Sequence, residues 1–342
     1  MEIQLDGSTV PFSLEHTLRC GQLFRWEKLG DWWYGVVKDK VVKIRQIADK
    51  LMFQTFPEKT TAEFIENYFR LDDNLLSILS QINKDEHVRK AIQRCHGLRI
   101  SRQEPWECLI SYICATYKSI PAIKNMILNL SKRFGKKITF NGHDFYMFPK
   151  PSDLAHASLE EIRSCKLGFR AERVLETSKI LDREEFNLED LRKMDYAKAK
   201  QKLLSLPGVG QKVADCVLLF SLDKLEAFPV DIWIKRAVLE FYPSYFERSF
   251  VKRVSGKSSI TPSEYKTISS FGREYFGKYA GYAQEYLFKP SRAHLEQLQF
   301  LSQKHFFFQV HESRDLCPQN RFLKCCCIYP FYAHAHLFPR LK

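Results

Sequence analysis

Three side chains define the chemistry open to this sequence. Lys212 lies just past the turn Pro207-Gly208-Val209-Gly210-Gln211, Cys216 follows four residues later, and Asp231 comes nineteen residues after the lysine. A spacing of four puts Lys212 and Cys216 on one face of a helix. Near a helix N-terminus and close to apolar surface, the ammonium form of Lys212 is disfavoured, so its pKa is expected to fall, as a nucleophilic amine requires. A carboxylate at Asp231 suits the stabilisation of a developing positive charge. Each residue also has an ordinary role when taken singly. Lys212 can be a solvated lysine at a loop–helix joint, and Asp231 can cap the helix IWIKRAVLEFY.

The segment that must position these groups runs from Leu203 to Arg236, LLSLPGVGQKVADCVLLFSLDKLEAFPVDIWIKR. Pro207, Gly208 and Gly210 separate two apolar-periodic runs, which predicts a helix, a sharp hairpin and a second helix over 203–222. Val213, Val217 and Phe220 supply an apolar stripe on the second helix. The N–H groups of Gly208, Val209, Gly210 and Gln211 are expected to be free. With the positive end of the helix dipole, they form a site for a phosphate.

The stretch LPGVGQKVADCVLLFSLDKLEAFPVDIW resembles the helix-hairpin-helix plus Gly/Pro-Asp (HhH-GPD) signature of base-excision DNA glycosylases, and most closely the 8-oxoguanine DNA glycosylase branch. The resemblance implies that Lys212 is the Schiff-base nucleophile and Asp231 the assisting carboxylate. It also implies a Lys212–Cys216 charge pair that complements the dipole of the oxidised base. That pair needs a charged lysine at recognition and a neutral one at attack.

Three further stretches carry the same resemblance. Cys20-Gly21-Gln22-Leu23-Phe24-Arg25-Trp26, otherwise a loop turning into a strand, is similar to the branch's SGQxFRW, where the glycine carbonyl accepts the N7–H of 8-oxoguanine. Unmodified guanine would set its N7 acceptor against that carbonyl, at a cost of roughly 1–3 kcal/mol. YAGYAQEYLF, residues 279–288, is similar to YAGWAQxxLF, which implies that Gln284 binds the Watson–Crick edge and that Phe288 stacks on the base opposite Cys216. Outside that context, Phe288 reads as a core residue. A flipped base held against an aromatic ring is the geometry that chemistry on a base demands. Glu104-Pro105-Trp106 opens a helix, WECLISYICATY, similar to the branch's DPxECLxSFICS, with Pro105 near its first position.

Some positions depart from the pattern. Tyr117, Lys118 and Ser119 replace an asparagine run, and Ala122 replaces an arginine that holds the cytosine opposite the lesion. Arg170, in KLGFRA, matches the second cytosine-contacting arginine and otherwise reads as a phosphate contact. Tyr117 can fill the gap in the base stack. Loss of one bidentate arginine removes roughly 1–3 kcal/mol of discrimination, so a relaxed opposite-base preference is expected. Trp233 stands where many relatives have a histidine near the lesion's 5′ phosphate, and an indole carries no charge to replace it.

A chain of 342 residues exceeds one small domain. With 53 Lys+Arg against 40 Asp+Glu, its formal charge of +13 favours a polyanionic partner. No apolar run spans a bilayer, the N-terminus lacks signal-peptide character, and the ten cysteines are mostly scattered. These features predict a protein that neither enters a membrane nor depends on disulfides. Its expected location is cytoplasmic and nucleoid-associated in a prokaryote, or nuclear in a eukaryote.

The expected fold class is α+β. Residues 1–95 form an N-terminal antiparallel β-sheet domain, which the resemblance makes TATA-binding-protein-like, and residues 96–292 form a mostly α-helical HhH-GPD region. Residues 293–342 form an extension of different composition. Strands are expected at Trp32–Val37, Val41–Ile47 and Leu51–Phe56, with helices over 61–69 and 75–95. Pro151-Ser152-Asp153 and Ser158 with Glu160 and Glu161 mark helix starts. Cys325, Cys326 and Cys327 in the extension are adjacent, which does not suit a zinc site, so neither metal nor cofactor is expected. The partner implied by the resemblance is double-stranded DNA containing 8-oxoguanine, bound by a monomer. Rival readings are a glycosylase of the same superfamily for another damaged purine and a non-catalytic HhH DNA-binding module.

Overall fold

Alternating apolar residues near the N-terminus build a five-stranded antiparallel sheet of order β1-β5-β4-β3-β2, with β1 at Glu2–Gln4, β2 at Trp26–Leu29, β3 at Trp32–Val37, β4 at Lys40–Ile47 and β5 at Lys50–Phe56. The three expected strands form within a residue of their predicted limits; β1 was not anticipated, and β2 begins at Trp26, where the alternative reading of residues 20–26 has a loop turning into a strand. Side chains on a strand alternate between faces. Trp33, Val37, Val42, Ile44, Leu51 and Phe53 therefore share the inner face and pack on Phe12, Leu14, Leu18, Ile65, Tyr68 and Phe69. Gly35 pairs with Trp26, and a Cβ there would come within 2.3 Å of the indole. The space it leaves holds Trp26, whose Nε1–H donates to the Tyr68 hydroxyl at 3.0 Å.

This computed structural model describes residues 1–288, which lie within one compact unit, Met1–His294. The expectations for the extension 293–342 fall outside the described residues. The helix expected over 75–95 is two helices, Leu75–Ile82 and Glu86–Arg94. Asp85 makes the break. In extended backbone, its carboxylate accepts the N–H groups of His87 and Val88 at 2.9 and 3.0 Å, so it starts a new helix instead of continuing the old one. Pro105 opens the helix Pro105–Cys114 as expected, capped by Glu104. Ser158 and Glu161 form a capping box, whereas the helix Pro151–Ala155 is held at its start by Asp153 reaching back to the Lys150 N–H at 2.8 Å.

A hairpin of β6 (Lys137–Phe140) and β7 (His143–Tyr146) was not anticipated. Its signal was present in Asn141-Gly142, whose φ values of 52° and 76° are those of the type I′ turn that joins two strands tightly. The hairpin lies on the outer face of the sheet, with Tyr34 stacked on Phe145 at 5.7 Å and Phe56 on Phe140 at 5.4 Å.

Buried polar groups join the sheet region to the helices. The Gln22 amide donates to the Arg99 carbonyl at 2.8 Å and accepts from the Ser101 N–H at 2.9 Å. Arg25 pairs with Glu107 at 2.8 Å. In the helical core, Tyr112 stacks on Phe220 at 5.5 Å, joining Pro105–Cys114 to the helix Gln211–Ser221. A final described helix, residues 280–288, buries Tyr282, Ala283, Tyr286 and Leu287 in the same core.

Candidate active site

The hairpin forms as the sequence predicts, between the helices Tyr196–Leu204 and Gln211–Ser221. Gly208 has φ of +81°, a left-handed conformation that favours glycine, and Gly210 is extended with no atom within 4 Å of where a Cβ would stand. Backbone can therefore approach a ligand closely at Gly210. The N–H groups of Gly208 and Gly210 meet no acceptor among the described residues. Val209 differs from its expectation, because its N–H donates to the Leu206 carbonyl at 3.1 Å and its side chain is buried. It stabilises the turn, leaving its neighbours to face outward. Gln211 is half-buried at the first position of the second helix.

Lys212 follows in the first turn of that helix, half-buried, with Cys216 one turn further along and buried. Asp231 caps the helix Ile232–Phe241, its Oδ1 accepting the N–H groups of Trp233 and Ile234, both at 2.9 Å. A carboxylate held this way loses little further freedom when it acts on a substrate. Cys216 reports how these groups converge. Burial pushes its thiol pKa well up, the Lys212 ammonium opposes this, and the carboxylates of Asp215, Asp231 and Glu285 push it higher still. The thiol therefore stays protonated at neutral pH.

Gly21, Gln284 and Phe288 come from distant parts of the chain. Gly21 has φ of +108°, again a region that favours glycine. Its neighbour Cys20 has its thiol against the Glu285 carboxylate, which follows Gln284, so the Gly21 loop and the 280–288 helix meet. Tyr112 lies beneath both, sensing Cys20, Cys216 and Glu285 and donating its hydroxyl to the Gln22 carbonyl at 3.3 Å. Gln284 is 5% exposed, and its Oε1 has no hydrogen-bond partner among the described residues. An amide oxygen buried without a donor is costly unless a ligand supplies one. Phe288, one turn on, is half-buried with part of its ring against the core.

Outside the pocket, Tyr117 is 87% exposed and held at φ of +55° in the turn after Pro105–Cys114. Arg170 differs from expectation. It is 2% exposed, and its guanidinium donates to the Thr116 carbonyl through two nitrogens and to the Leu167 carbonyl at 3.2 Å. It braces the turn that presents Tyr117. Beside it lies Phe169, a residue the sequence reading passed over. This ring is 54% exposed, with the guanidinium of Arg170 4.2 Å away and that of Arg173 5.1 Å away. The signal for it was an aromatic between Gly168 and a basic residue at a helix start. Trp233 is half-buried, and the exposed Arg236 sets its guanidinium 5.2 Å from the indole, so a positive charge stands beside this uncharged side chain after all.

Residues 4–109 match the family model of the 8-oxoguanine DNA glycosylase N-terminal domain, and residues 110–245 match that of the HhH-GPD superfamily base excision DNA repair protein. The chain is 33% identical to a probable N-glycosylase/DNA lyase of Methanothermobacter thermautotrophicus over 310 residues, covering 82% of this chain and 94% of that protein. It superposes on MBOgg1, solved with a low-affinity DNA ligand, with a TM-score of 0.75 at 33% identity, covering 85% of this chain and 95% of the other. The 8-oxoguanine glycosylase/lyase of Clostridium acetobutylicum, solved with double-stranded DNA containing cytosine opposite 8-oxoG, gives a TM-score of 0.73 at 32% identity, covering 83% and 92%.

Proposed function

Because the chain belongs to the 8-oxoguanine DNA glycosylase branch of the HhH-GPD superfamily, we propose that it excises this base from duplex DNA through Lys212 and then cuts the strand. The protein is a bifunctional DNA glycosylase and AP lyase. The observation that carries the substrate is the buried Gln284 Oε1 without a donor. Guanine offers N1–H and N2–H at its Watson–Crick edge, so a flipped base supplies the missing bond. The Gly21 carbonyl then accepts N7–H, which 8-oxoguanine has and guanine lacks. Phe288 stacks on the ring, with Cys216 as a neutral group on the opposite side.

In the reaction, the neutral Lys212 amine attacks C1′. The glycosidic bond breaks, and its electron pair leaves with the base, which takes up a proton. Opening of the sugar gives a Schiff base between Nζ and C1′. Loss of a C2′ proton then expels the 3′ phosphate and nicks the strand. Asp231 stabilises the positive charge that develops at the sugar. The N–H groups of Gly208, Gly210 and Gln211 bind backbone phosphate, and Arg236, seated over Trp233, supplies the cation that the indole cannot. Tyr117 enters the stack vacated by the flipped base. With Ala122 in place of an arginine and Arg170 committed to carbonyls, little remains to read the opposite cytosine.

Borohydride trapping on an 8-oxoguanine duplex tests this reading, with Lys212→Gln as control. A covalent adduct from the wild type alone is expected. No adduct on any lesion would instead favour a non-catalytic DNA-binding module, and an adduct only with another damaged purine would reassign the base.

A further inference from the structure

The helix that carries Lys212 also carries a fully buried carboxylate, Asp215, one turn further along. A charge there must be paired. Asp215 Oδ1 accepts the Tyr196 hydroxyl at 2.7 Å, and Oδ2 accepts the Lys200 ammonium at 2.8 Å and the Tyr265 hydroxyl at 2.6 Å. Tyr196 and Lys200 belong to the preceding hairpin helix. Tyr265 does not; it comes from the helix Pro262–Phe276 and does a second thing. Its hydroxyl oxygen accepts the N–H of Val230 at 3.4 Å, and Val230 is the residue before Asp231.

The same helix grips that strand of chain at two further points. Ser269 donates to the Phe228 carbonyl at 3.0 Å, and Gly272 leaves room for the Phe228 ring, which a Cβ would meet at 2.5 Å. The Tyr265 hydroxyl thus bridges the helix of Lys212 and the segment of Asp231 through two hydrogen bonds. We infer that Tyr265 is a positioning residue, whose hydroxyl fixes the Asp231 carboxylate relative to the Lys212 amine. The inference rests on the roles given above to Lys212 and Asp231. Displacement by about 1 Å of a group needed at the reacting centre can cost on the order of 100-fold in rate.

Tyr265→Phe keeps the buried ring and leaves Asp215 paired with Lys200 and Tyr196. Tyr196→Phe is the comparison variant: it deletes a hydrogen bond to Asp215, and with it the one the Tyr196 hydroxyl accepts from Lys200 at 2.9 Å, but leaves both hydrogen bonds of Tyr265 in place. Under single turnover on an 8-oxoguanine duplex, Tyr265→Phe is expected to excise roughly 10- to 100-fold more slowly, with duplex affinity unchanged within about twofold. Tyr196→Phe is expected to lose a similar amount of melting temperature and to keep the wild-type rate. Amide exchange of Val230, which needs no substrate, is expected to quicken in Tyr265→Phe alone. Equal rates in the two variants, or unchanged Val230 exchange in Tyr265→Phe, would overturn the inference. Absence of a Lys212 adduct in the wild type would overturn the catalytic reading instead and leave the exchange result to decide the bridge.

Discussion

At the scale of single residues, Gln284 and Cys216 bear most directly on lesion recognition. If the unpartnered Oε1 of Gln284 awaits the edge of a flipped base, its removal should affect base excision and spare the lyase step, which acts after the base has left. Gln284→Ala is therefore expected to lower kcat/KM for 8-oxoguanine by about 5- to 150-fold, equivalent to roughly 1–3 kcal/mol of a lost buried hydrogen bond. Cleavage of a preformed abasic site should stay near wild type. A variant that loses both activities equally would mean that Gln284 supports the fold instead. Burial and the carboxylates of Asp215, Asp231 and Glu285 push the Cys216 thiol well up, against the charge pair with Lys212 that the resemblance implies. Cys216→Ser is accordingly expected to leave the shape of the pH–rate profile intact, and a displaced alkaline or acidic limb would contradict this.

At the scale of elements, the turn after Pro105–Cys114 is held by Arg170 instead of being free to follow DNA. Removing that guanidinium takes its donors from the half-buried Thr116 carbonyl, while the Leu167 carbonyl keeps the Arg170 N–H at 3.4 Å, at a cost on the order of 1 kcal/mol. Arg170→Ala should lower the melting temperature and slow excision by a similar factor whether cytosine, adenine, guanine or thymine lies opposite the lesion. A selective loss with cytosine would show that Arg170 reads the opposite base. The hairpin has its own test. Gly208 sits at φ of +81°, and a Cβ there would press on the Arg173 side chain at 2.9 Å. If the turn holds phosphate as proposed, and so reads no base, Gly208→Ala should weaken binding to damaged and undamaged duplex alike. Unchanged affinity for undamaged duplex would remove the hairpin from the interface.

At the scale of the whole molecule, buried acids link stability to pH. Burial raises the thiols of Cys20, Cys108 and Cys216 well above the ordinary range, and that of Cys114 to about 12. Above the pKa of an exposed thiol, near 8.5, the unfolded chain releases protons that the folded chain retains. The stability these groups contribute is therefore complete below about pH 8.5 and is lost as the pH climbs toward their folded values. Buried tyrosines such as Tyr112 and Tyr265 add to the same trend at higher pH. The melting temperature is expected to fall steadily above about pH 9, and a flat profile to pH 10.5 would contradict the burial of these groups.

Local signals carried much of this protein. Strand alternation fixed β3, β4 and β5, and the glycine pattern around residues 207–211 fixed the hairpin, because both depend on near neighbours in the chain. The same holds for Asp231, whose capping role needs only the next helix turn. Other features depended on which groups fill the space around a side chain. The commitment of Arg170 to Thr116 and the raised thiol of Cys216 arise from contacts between segments far apart in sequence or from burial itself, whereas Arg236 reaches Trp233 from one turn along the same helix. The Tyr265 bridge from Asp215 to Val230 is of this kind, since a tyrosine in a helix pattern carries no mark of the two partners its hydroxyl will meet. The sequence determined which groups can act on a flipped base, and the tertiary structure decided which of them are left free to do so, because buried polar groups take whatever partners packing brings within reach.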